Sequence, residues 1–587
     1  MSYRSTKQQS LFASEFLMSD RKRQRLEQTW ARDFRERCLP LIREALFRPL
    51  YHAENGAPCK SIRLVVAVLI LQGLFDLTDE ETQAAVDFDL RWHLALGLDP
   101  CDDGDYVSQR TLQYFRVRLL EHDGGEQLFF EVTDQLLVTL GLATGSQRLD
   151  TTHIRSNFAQ LSRLQLFCET ERLFLRALRR DAPALLDMVP ASLCRRYLRD
   201  DGADTAYDKT RASDSRRRVS VAARDAYRLH EAFRGVALPE AVAEAYTRLT
   251  RLVSEHCVVG DTPQVAEAGD GDADLPAVPV EAKAPKTITP DSLQTPHDPD
   301  VTYSGHKGQG YEMLLTETCA PTNPVQLITH ASLERSCESD ADRVLPVLEG
   351  LEARGIALDA LLADTAFGST ANYQACAAHG VELIAPTPGA SAASSAAEPA
   401  AAEAGFTVQV FPQDSPSRCP AGVEAEATIV RETATGLVAM LQMPVGACTA
   451  CPQQAGCPLV PRADGHSLVV LELSELLKAD RRAFEGTPEF LNAYRPRAGI
   501  EGTNSEVKRG QGVGRLRVRG KDRVALALWF RLTACNVKRA LRYWRDARKK
   551  TNTSTLFPPL RSLFAKYAPY FTWRRCFLVS LTCYATR

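Results

Sequence analysis

The stretch YRPRAGIEGTNSEVK, residues 494–508, decides how the rest of this chain is interpreted. Within it Tyr494, Arg497, Glu501 and Lys508 are separated by three, four and seven positions. Because an α-helix turns by about 100° per residue, these four side chains fall within roughly 60° of one helix face. A carboxylate, two cations and a phenol on one face suit a metal ion that is held beside phosphate groups.

A solvated, charged helix without a ligand is the alternative interpretation of the same stretch. Gly499 and Gly502 also disfavour a helix, because a glycine inside a helix costs about 1 kcal/mol relative to alanine. The remaining sequence therefore has to decide between a functional site and a plain surface.

Charge is distributed unevenly along the 587 residues, although the formal net charge is only −2. Positions 491–550 carry seventeen Lys or Arg residues against four Asp or Glu residues. Positions 257–300 have the opposite balance, with nine Asp or Glu residues and two Lys residues. A local positive excess of this size is typical of a protein that binds a polyanion such as nucleic acid. A basic surface without a partner is the alternative.

The N-terminal part, residues 1–140, is expected to form a helical domain. Residues 61–75 predict an apolar, buried helix, and residues 78–81 have the form of a capping box that opens the next one. A further helix with three arginines is predicted over Gln109–Leu120. This region is either a DNA-binding unit of the helix-turn-helix type or a plain helical bundle.

No segment of the sequence predicts a membrane association. The longest apolar run, Leu64–Phe75, is too short to cross a bilayer, and residues 1–20 do not resemble a signal peptide. The cysteines are scattered singly apart from one cluster. We therefore expect a cytoplasmic protein with reduced thiols.

An α/β sheet is predicted from strands in two separate parts of the chain. Asp150 lies near the end of a short strand at Gln147–Thr152, and Asp364 follows the apolar run of a buried strand at Ala357–Ala363. The other predicted elements are a hairpin of two strands, two helices and a last short strand: Tyr311–Cys319, Val325–Leu333, Asp340–Leu351, Ser369–Ala378 and Glu382–Ala385. Ligands of open α/β sheets usually lie outside the carboxyl ends of the strands, so both aspartates are site candidates.

The predicted domain organisation divides the sheet into three pieces separated by insertions. Its segments are 1–140, a helical and candidate DNA-binding domain; 141–157, the first part of the core; 158–256, a helical insertion; 257–300, an acidic linker expected to be disordered; 301–389, the second part of the core; 390–470, an Ala/Ser linker and a small Cys-rich β insertion; 471–550, the last part of the core with Glu501 and basic helices; and 551–587, a basic and aromatic tail.

Four cysteines in the second insertion have spacings that suit a zinc site: Cys419, Cys448, Cys451 and Cys457. One pair has CxxC spacing, and four thiolates in a strand-rich segment match the tetrahedral coordination of a structural Zn²⁺. Four unlinked thiols are the alternative, because the sequence has no second CxxC pair in this segment.

Three acids stand out: Asp150, Asp364 and Glu501. Two are predicted on strands of one sheet, and the third on a helix that follows it. Carboxylates that converge on one point repel one another unless cations lie between them. Two Mg²⁺ ions about 3.5–4 Å apart are the usual arrangement for phosphodiester chemistry.

These residues resemble the signature of a known family, the bacterial insertion-sequence transposases of the DDE class, whose catalytic core has an RNase H-like fold. The third acid of that family lies in the pattern Tyr-x2-Arg-x3-Glu-x6-Lys, which residues 494–508 match without a gap. The first and second acids lie in patterns similar to residues 149–152 and 363–368. The segment Asp298-Pro299-Asp300 and residues 536–539 are also similar to the family.

The resemblance implies an RNase H-like mixed α/β sheet core and a transposition reaction on DNA. In that reaction water attacks a phosphodiester at the end of the mobile element, and the freed 3′-hydroxyl then attacks target DNA. Asp150, Asp364 and Glu501 would hold two Mg²⁺ ions. The residues implied to contact DNA are Tyr494, Arg497, Lys508, Lys538 and Arg539. The implied partners are double-stranded DNA, as element ends and target, and a second copy of the chain on that DNA.

Glu506 is a rival for the third acid, but it would lie about 140° from Glu501 around a regular helix, so Glu501 is favoured. Two other functions remain open. One is a DNA-binding protein derived from a transposase that has lost catalysis. The other is an RNase H-like nuclease that acts on nucleic acid unrelated to a mobile element.

Overall fold

The computed structural model describes residues 18–52, 60–99, 106–122, 124–198, 212–260, 280–389, 405–408, 416–433, 436–472, 478, 481–482 and 484–556. These residues fall into two compact units. The first comprises described residues up to 72, from 77 to 112 and from 536 onwards, and the second comprises residues 73–76 and 113–535. The predicted domain boundary at residue 140 differs from this division, because residues 113–140 make their contacts within the second unit.

The helices and strands of the described residues follow one another in this order: α1 (Asp20–Glu27), α2 (Trp30–Asp33), α3 (Ile62–Phe75), α4 (Asp79–Phe88), α5 (Leu90–Leu96), α6 (Gln109–Glu121), α7 (Gly124–Leu140), β1 (Ser146–Ile154), α8 (Arg163–Asp181), α9 (Ala191–Tyr197), α10 (Ala212–Ala232), α11 (Glu240–His256), β2 (Cys257–Val259), β3 (Val280–Ala282), β4 (Thr302–Ser304), β5 (Gly308–Thr318), β6 (Ile328–Arg335), α12 (Val344–Ala353), β7 (Ala360–Leu362), α13 (Thr370–Ala378), β8 (Glu382–Ile384), β9 (Ala427–Thr433), β10 (Gly436–Met443), β11 (Leu459–Pro461), β12 (Ser467–Glu472), α14 (Pro488–Tyr494), α15 (Gly499–Ser505) and α16 (Lys521–Leu556).

The first unit is built from helices. The predicted capping box opens α4: the Thr78 hydroxyl accepts a hydrogen bond from the Glu81 N–H, and the Glu81 carboxylate accepts one from the Thr78 N–H. The predicted apolar helix is confirmed as α3, whose side chains from Leu64 to Leu71 are all buried. Asp33 is also buried, and its carboxylate pairs with Arg548 at 2.6 Å. Because a buried charge needs a partner, this ion pair fixes the C-terminal part of α16 within the first unit.

A mixed sheet forms the centre of the second unit. β1 pairs antiparallel with β5 and parallel with β7. β7 continues parallel to β8, while β5 pairs antiparallel with β6 and, through its first residues, with β4. The strand order is therefore β6–β5–β1–β7–β8, with β4 also beside β5. This arrangement confirms the mixed α/β character predicted from the sequence.

One face of the sheet packs against the N-terminal half of α16. Val524, Leu528, Leu532 and Cys535 recur every three or four residues along that helix, so they lie on one face. They share a core with strand residues such as Tyr311, and every member of this core is nearly inaccessible to solvent. Full burial of one aliphatic side chain contributes about 1.5–3 kcal/mol, so this contact fixes α16 and the segment before it against the strands.

The predicted helical insertion is formed by α8–α11, which enclose a core of their own. Phe174 and Phe233 are fully buried in it, with ring centroids 5.1 Å apart in an edge-to-face arrangement. The prediction of a disordered linker is wrong for residues 280–300. β3 pairs with β2, and Leu293 is fully buried in the same core. Single apolar side chains such as Leu293 anchor this segment, although its composition is polar. Residues 261–279 of the predicted linker lie outside the described residues.

The Cys-rich insertion forms a small antiparallel sheet in the order β11–β12–β10–β9. Alternate residues of β10 and β12 point into a compact core around Leu441 and Leu471. Residues 390–404 of the predicted Ala/Ser linker and residues 557–587 of the predicted tail lie outside the described residues. Among the described helices, not one combines the length and the apolar character that crossing a membrane requires.

Candidate active site

Two parallel strands bring Asp150 and Asp364 together. Arg148 on β1 is in register with Leu362, the last residue of β7. Two residues farther along each chain, Asp150 and Asp364 therefore come side by side. Asp150 is buried and Asp364 is half-buried. The Asp364 carboxylate accepts a hydrogen bond from the Ala366 N–H at 2.9 Å, which holds it at the strand end.

The segment that carries Glu501 is not the single regular helix predicted from the sequence. α14 ends at Tyr494 and is followed by a 3₁₀ turn, Arg495–Ala498; α15 is followed by a π turn, Glu506–Gly510. Pro496 explains the first break, because proline has no N–H to donate and clashes with the preceding turn of an α-helix. The prediction of one regular helix is therefore wrong, although Arg497 and Glu501 still form an i,i+4 ion pair.

All three predicted acids lie against the guanidinium of Arg497. Its Nη2 atom is 3.2 Å from Asp150 Oδ1 and 3.6 Å from Asp364 Oδ2. Its Nη1 atom is 3.2 Å from Glu501 Oε1. The sheet and the interrupted helix thus gather three carboxylates around one cation. Glu501, rather than its rival Glu506, is the acid of this segment that shares Arg497 with the two aspartates.

Asp150 is held most firmly of the three. The amide Nδ2 of Asn504 donates a hydrogen bond to Asp150 Oδ2 at 2.8 Å, and both side chains are buried. The pKa of Asp150 is raised to about 6: burial is the main cause, Arg497 opposes it, and the neighbouring carboxylates of Asp364 and Glu501 add to it. Asp150 is therefore an acid whose negative charge needs additional cationic stabilisation.

A buried ion pair fastens α15 to the strands. Arg148 and Glu317 face each other across β1 and β5, and Arg148 Nη2 lies 2.6 Å from Glu317 Oε2. Arg148 also donates a hydrogen bond to the carbonyl of Pro496 at 2.7 Å, and the hydroxyl of Thr503 donates one to Glu317 at 2.6 Å. These contacts set where the segment with Arg497 meets the sheet.

Two glycines of α15 differ sharply in the space beside them, which gives a matched pair of variants. A Cβ atom at Gly499 would lie 1.9 Å from Arg148 Nη1, whereas one at Gly502 meets nothing within 4 Å. We expect Gly502→Ala to raise the free energy of unfolding by about 0.5–1 kcal/mol, because alanine favours a helix. Gly499→Ala should lower it, because Arg148 would have to move away from buried Glu317. Urea unfolding measures both, and equal effects would contradict the proposed contact.

A second set of polar side chains lies next to the three acids, near Lys508. Lys307 pairs with buried Glu312 at 2.9 Å, and the Thr151 hydroxyl donates a hydrogen bond to Asp340 Oδ2 at 3.0 Å. Burial, followed by the nearby Lys307 ammonium, lowers the pKa of Lys508, although Glu312, Asp150 and Glu501 oppose this effect. Two ammonium groups therefore lie within electrostatic range of the carboxylates.

Tyr494 faces the same region from the end of α14. Its ring stacks on Phe490, with centroids 5.4 Å apart and planes 12° from parallel. Burial raises the pKa of Tyr494, and its hydroxyl lies within electrostatic range of Arg497 and Asp364. Lys538 and Arg539, by contrast, are half-buried positions of α16 in the first unit, and the site described here does not include them.

Several residues of the site were missed in the sequence: Asn504, Arg148, Glu317, Glu312 and Asp340. Asn504 had a detectable signal, because it lies three residues after Glu501 and thus on the adjacent turn of the same helix. Glu312 and Glu317 are charges inside an apolar strand, which is also a recognisable anomaly. Arg148 and Asp340 had no local signal that separates them from surface charges.

The donor atoms of this site suit Mg²⁺. Carboxylate oxygens are its preferred protein ligands, and three of them already surround a cation, the Arg497 guanidinium. Asn504 adds a buried amide oxygen that accepts no hydrogen bond. Within the described residues, no group of three or more His, Cys, Asp or Glu side chains has its ligand atoms already placed to hold a metal ion. The acids fit the ion chemically, and Arg497 occupies the position between them.

The four cysteines of the predicted zinc site lie in neighbouring turns of the Cys-rich sheet. Cys419 and the Cys448–Cys451 pair each close a tight turn, and Cys457 precedes β11. Burial raises the pKa of the Cys457 thiol, and the thiols of Cys448, Cys419 and Cys451 raise it further. Three of them pack against the core of this sheet. The fold thus brings the four thiols into electrostatic range of one another.

Two family comparisons match parts of the chain. Residues 418–541 match the family described as "Transposase DDE domain", and residues 23–118 match the family described as "Transposase domain (DUF772)". Both matches are to transposase families, and they support an insertion-sequence transposase of the DDE class. The first match includes the Cys-rich sheet and Glu501, whereas Asp150 and Asp364 precede it. A comparison with curated proteins gives no match.

The DDE-domain match supports an enzyme that acts on DNA. This match lies in the part of the sequence that holds the signature residues 494–508. The N-terminal match, in turn, lies over the helices α1–α6. DDE transposases as a family generally use a divalent metal ion, which agrees with the oxygen donors of the three acids.

Proposed function

We propose that this transposase hydrolyses phosphodiester bonds at the ends of its element and joins the freed 3′ ends to target DNA. The observation that carries the proposal is the convergence of Asp150, Asp364 and Glu501 on Arg497 from three separate segments of the chain. The strand order β6–β5–β1–β7–β8 supports an RNase H-like core for this chemistry.

Asp150, Asp364 and Glu501 are the residues that would hold two Mg²⁺ ions. The ions, when bound, would supply an activated water or 3′-hydroxyl and stabilise the leaving oxygen of an in-line displacement. Asn504 keeps the Asp150 carboxylate oriented by its hydrogen bond. Arg148 and Thr503 keep α15 against the sheet through Glu317.

The basic residues of the site would bind the DNA backbone. Arg497 carries a planar guanidinium that can donate two parallel hydrogen bonds to one phosphate. Lys508 and Lys307 add two ammonium groups on the side of the π turn. Tyr494 supports this surface through its stack on Phe490. Lys538 and Arg539 remain proposed DNA contacts of the first unit.

The experiment that tests this function uses DNA from the two sides of the coding region. Matched inverted repeats there would supply the substrate ends. We expect the full-length protein to nick such ends and join them to a target plasmid when Mg²⁺ is added. Binding without cutting would favour the catalytically inactive DNA-binding protein, and cutting without joining would favour the nuclease.

Cutting two ends of one element generally requires two active sites, so we infer a homodimer on DNA. Mass measurement of the protein bound to end DNA, compared with the protein alone, distinguishes one copy from two. The proposed cellular location is the cytoplasm, with the protein on the nucleoid when it is bound to DNA.

We further propose that Cys419, Cys448, Cys451 and Cys457 bind one structural Zn²⁺. The expected result is about one zinc per chain in the purified protein, as for tetrahedral Cys₄ sites. Cys448→Ser should release the metal and unfold the small sheet, because metal binding and folding are coupled in such modules. Elemental analysis and proteolysis of residues 405–472 measure both effects. Cys337→Ser, a half-buried cysteine outside the cluster, is the control; zinc-free protein of unchanged stability in chelator would refute the site.

A further inference from the structure

The segment between the π turn and α16 continues the edge of β1 beyond the acids. The Arg155 N–H donates a hydrogen bond to the Gly514 carbonyl at 3.2 Å, and the Leu516 N–H donates one to the Arg155 carbonyl at 2.8 Å. The Asn157 N–H then donates to the Val518 carbonyl at 2.9 Å. Residues 514–518 therefore run beside the residues that follow β1, and Arg155 and Arg515 form one isolated parallel bridge.

Side chains from residue 515 to residue 519 alternate between the solvent and the core. Leu516 is buried and Val518 packs against the core around α16. Arg515, Arg517 and Arg519 point the other way and are exposed. Arg515, Arg517 and Arg519 are named here the arginine row.

The arginine row is anchored to the fold. Arg517 Nη1 lies 3.1 Å from Asp76 Oδ1, and Arg531 Nη1 lies 2.7 Å from the same oxygen. The side chain of Arg519 donates a hydrogen bond to the Asn157 carbonyl. Gly512 makes the approach of Asp76 possible, because a Cβ atom there would lie 2.6 Å from the Asp76 carboxylate. One carboxylate shared by two arginines leaves a net positive charge on this surface.

The row also starts at the candidate active site. The Gly514 N–H donates a hydrogen bond to the Lys508 carbonyl at 3.3 Å, so the segment that carries the arginine row begins beside Lys508. On the neighbouring strand Asp150 and Arg155 are five residues apart, or about 17 Å. A line of exposed positive charge therefore extends outward from the acids along the edge of the sheet.

We propose that the arginine row, with Arg155 beside it, binds successive phosphates of one DNA strand next to the active site, independently of base sequence. Three exposed guanidinium groups on one side of a segment held by backbone hydrogen bonds suit an anionic backbone, whereas base recognition needs side chains directed into a groove. This inference rests on the proposed function in one respect: only that function identifies the bound DNA strand as the substrate of transposition.

The test measures DNA affinity as a function of salt, with the metal chelated so that catalysis plays no part. The probe is a fluorescent duplex of arbitrary sequence, and the variant is Arg515→Gln with Arg519→Gln in the full chain. The slope of log affinity against log salt is negative, and each lost phosphate contact makes it less steep by about 0.9. We therefore expect the slope to become less steep by about 2, and the affinity at 0.1 M salt to fall by about 50–100-fold.

Two controls separate this effect from a general loss of charge or of folding. Arg224→Gln with Arg234→Gln removes the same charge from exposed positions of the helical insertion and should leave the slope close to that of the unmodified protein. Lysine at both row positions should restore most of the slope. An unchanged slope for the row variant, or an equal fall in the insertion variant, would overturn the proposal.

The same proteins distinguish a failure of the row from a failure of the proposed function. If the unmodified protein cuts and joins element ends while the row variant keeps its full slope, the row is wrong and the function stands. If the unmodified protein neither cuts nor joins although the slope becomes less steep as expected, the row stands as a nucleic-acid surface and the function is wrong.

Discussion

Replacing Glu501 by Gln is expected to abolish DNA cutting and joining while DNA binding persists. The side chain keeps its size and its reach toward Arg497 but loses the negative charge that would hold Mg²⁺. Metal-ion catalysis contributes several kcal/mol to such reactions, and each 1.36 kcal/mol is tenfold in rate. The rate of strand transfer should therefore fall by roughly 10³-fold or more. Asp150→Asn and Asp364→Asn should have effects of the same size.

Glu506→Gln is the matched control for this prediction, because it makes the same chemical change five residues away. It should keep strand-transfer activity within a fewfold of the unmodified protein, measured in the same gel assay. The reverse pattern, with Glu506→Gln inactive and Glu501→Gln active, would show that the third acid has been assigned to the wrong residue.

Replacing Arg148 by Ala is expected to be the most destabilising single change at the site. The Glu317 side chain is only 1% exposed and Arg148 is its partner at 2.6 Å. Removal of one member of a buried ion pair leaves an uncompensated charge and typically costs 3–5 kcal/mol. The free energy of unfolding, measured in urea on the second unit's transition, should fall by about that amount. Cutting activity should fall as well, because Arg148 also holds the Pro496 carbonyl.

The double variant Arg148→Met with Glu317→Leu tests the reason for this loss. It removes both charges and fills similar volume, which in buried ion pairs is often neutral for stability. If the double variant recovers most of the free energy of unfolding, the loss in Arg148→Ala is due to the unpaired carboxylate of Glu317. A single variant within 1 kcal/mol of the unmodified protein would contradict the prediction.

Local patterns predicted much of the fold correctly. The capping box at Thr78 and the apolar helix α3 were recognisable because their signals involve residues at most four positions apart. The basic helices expected within residues 471–550 include α16, which extends from Lys521 to Leu556. Errors arose where a local signal competes with distant packing. Pro496 interrupts the signature helix, and residues 280–300 are ordered by apolar contacts to the helical insertion.

The sequence by itself predicted the transposase family, the mixed sheet, and three candidate acids, of which Asp150 lies within β1, Asp364 just after β7 and Glu501 on α15. Each of these depends on periodicity, on strand ends or on a motif within 15 residues. Only the tertiary structure decided that Arg497 lies between all three carboxylates and that Arg148, Glu317 and Thr503 fasten α15 to the sheet. These partners are far apart in the chain, and the pairing register of β1 with β5 and β7 brings them together. Register is specified by the hydrophobic pattern of each strand and by the turns that connect paired strands. Long insertions rather than turns connect β1 to β5 and β7, so the alignment of these strands became visible only in the folded sheet.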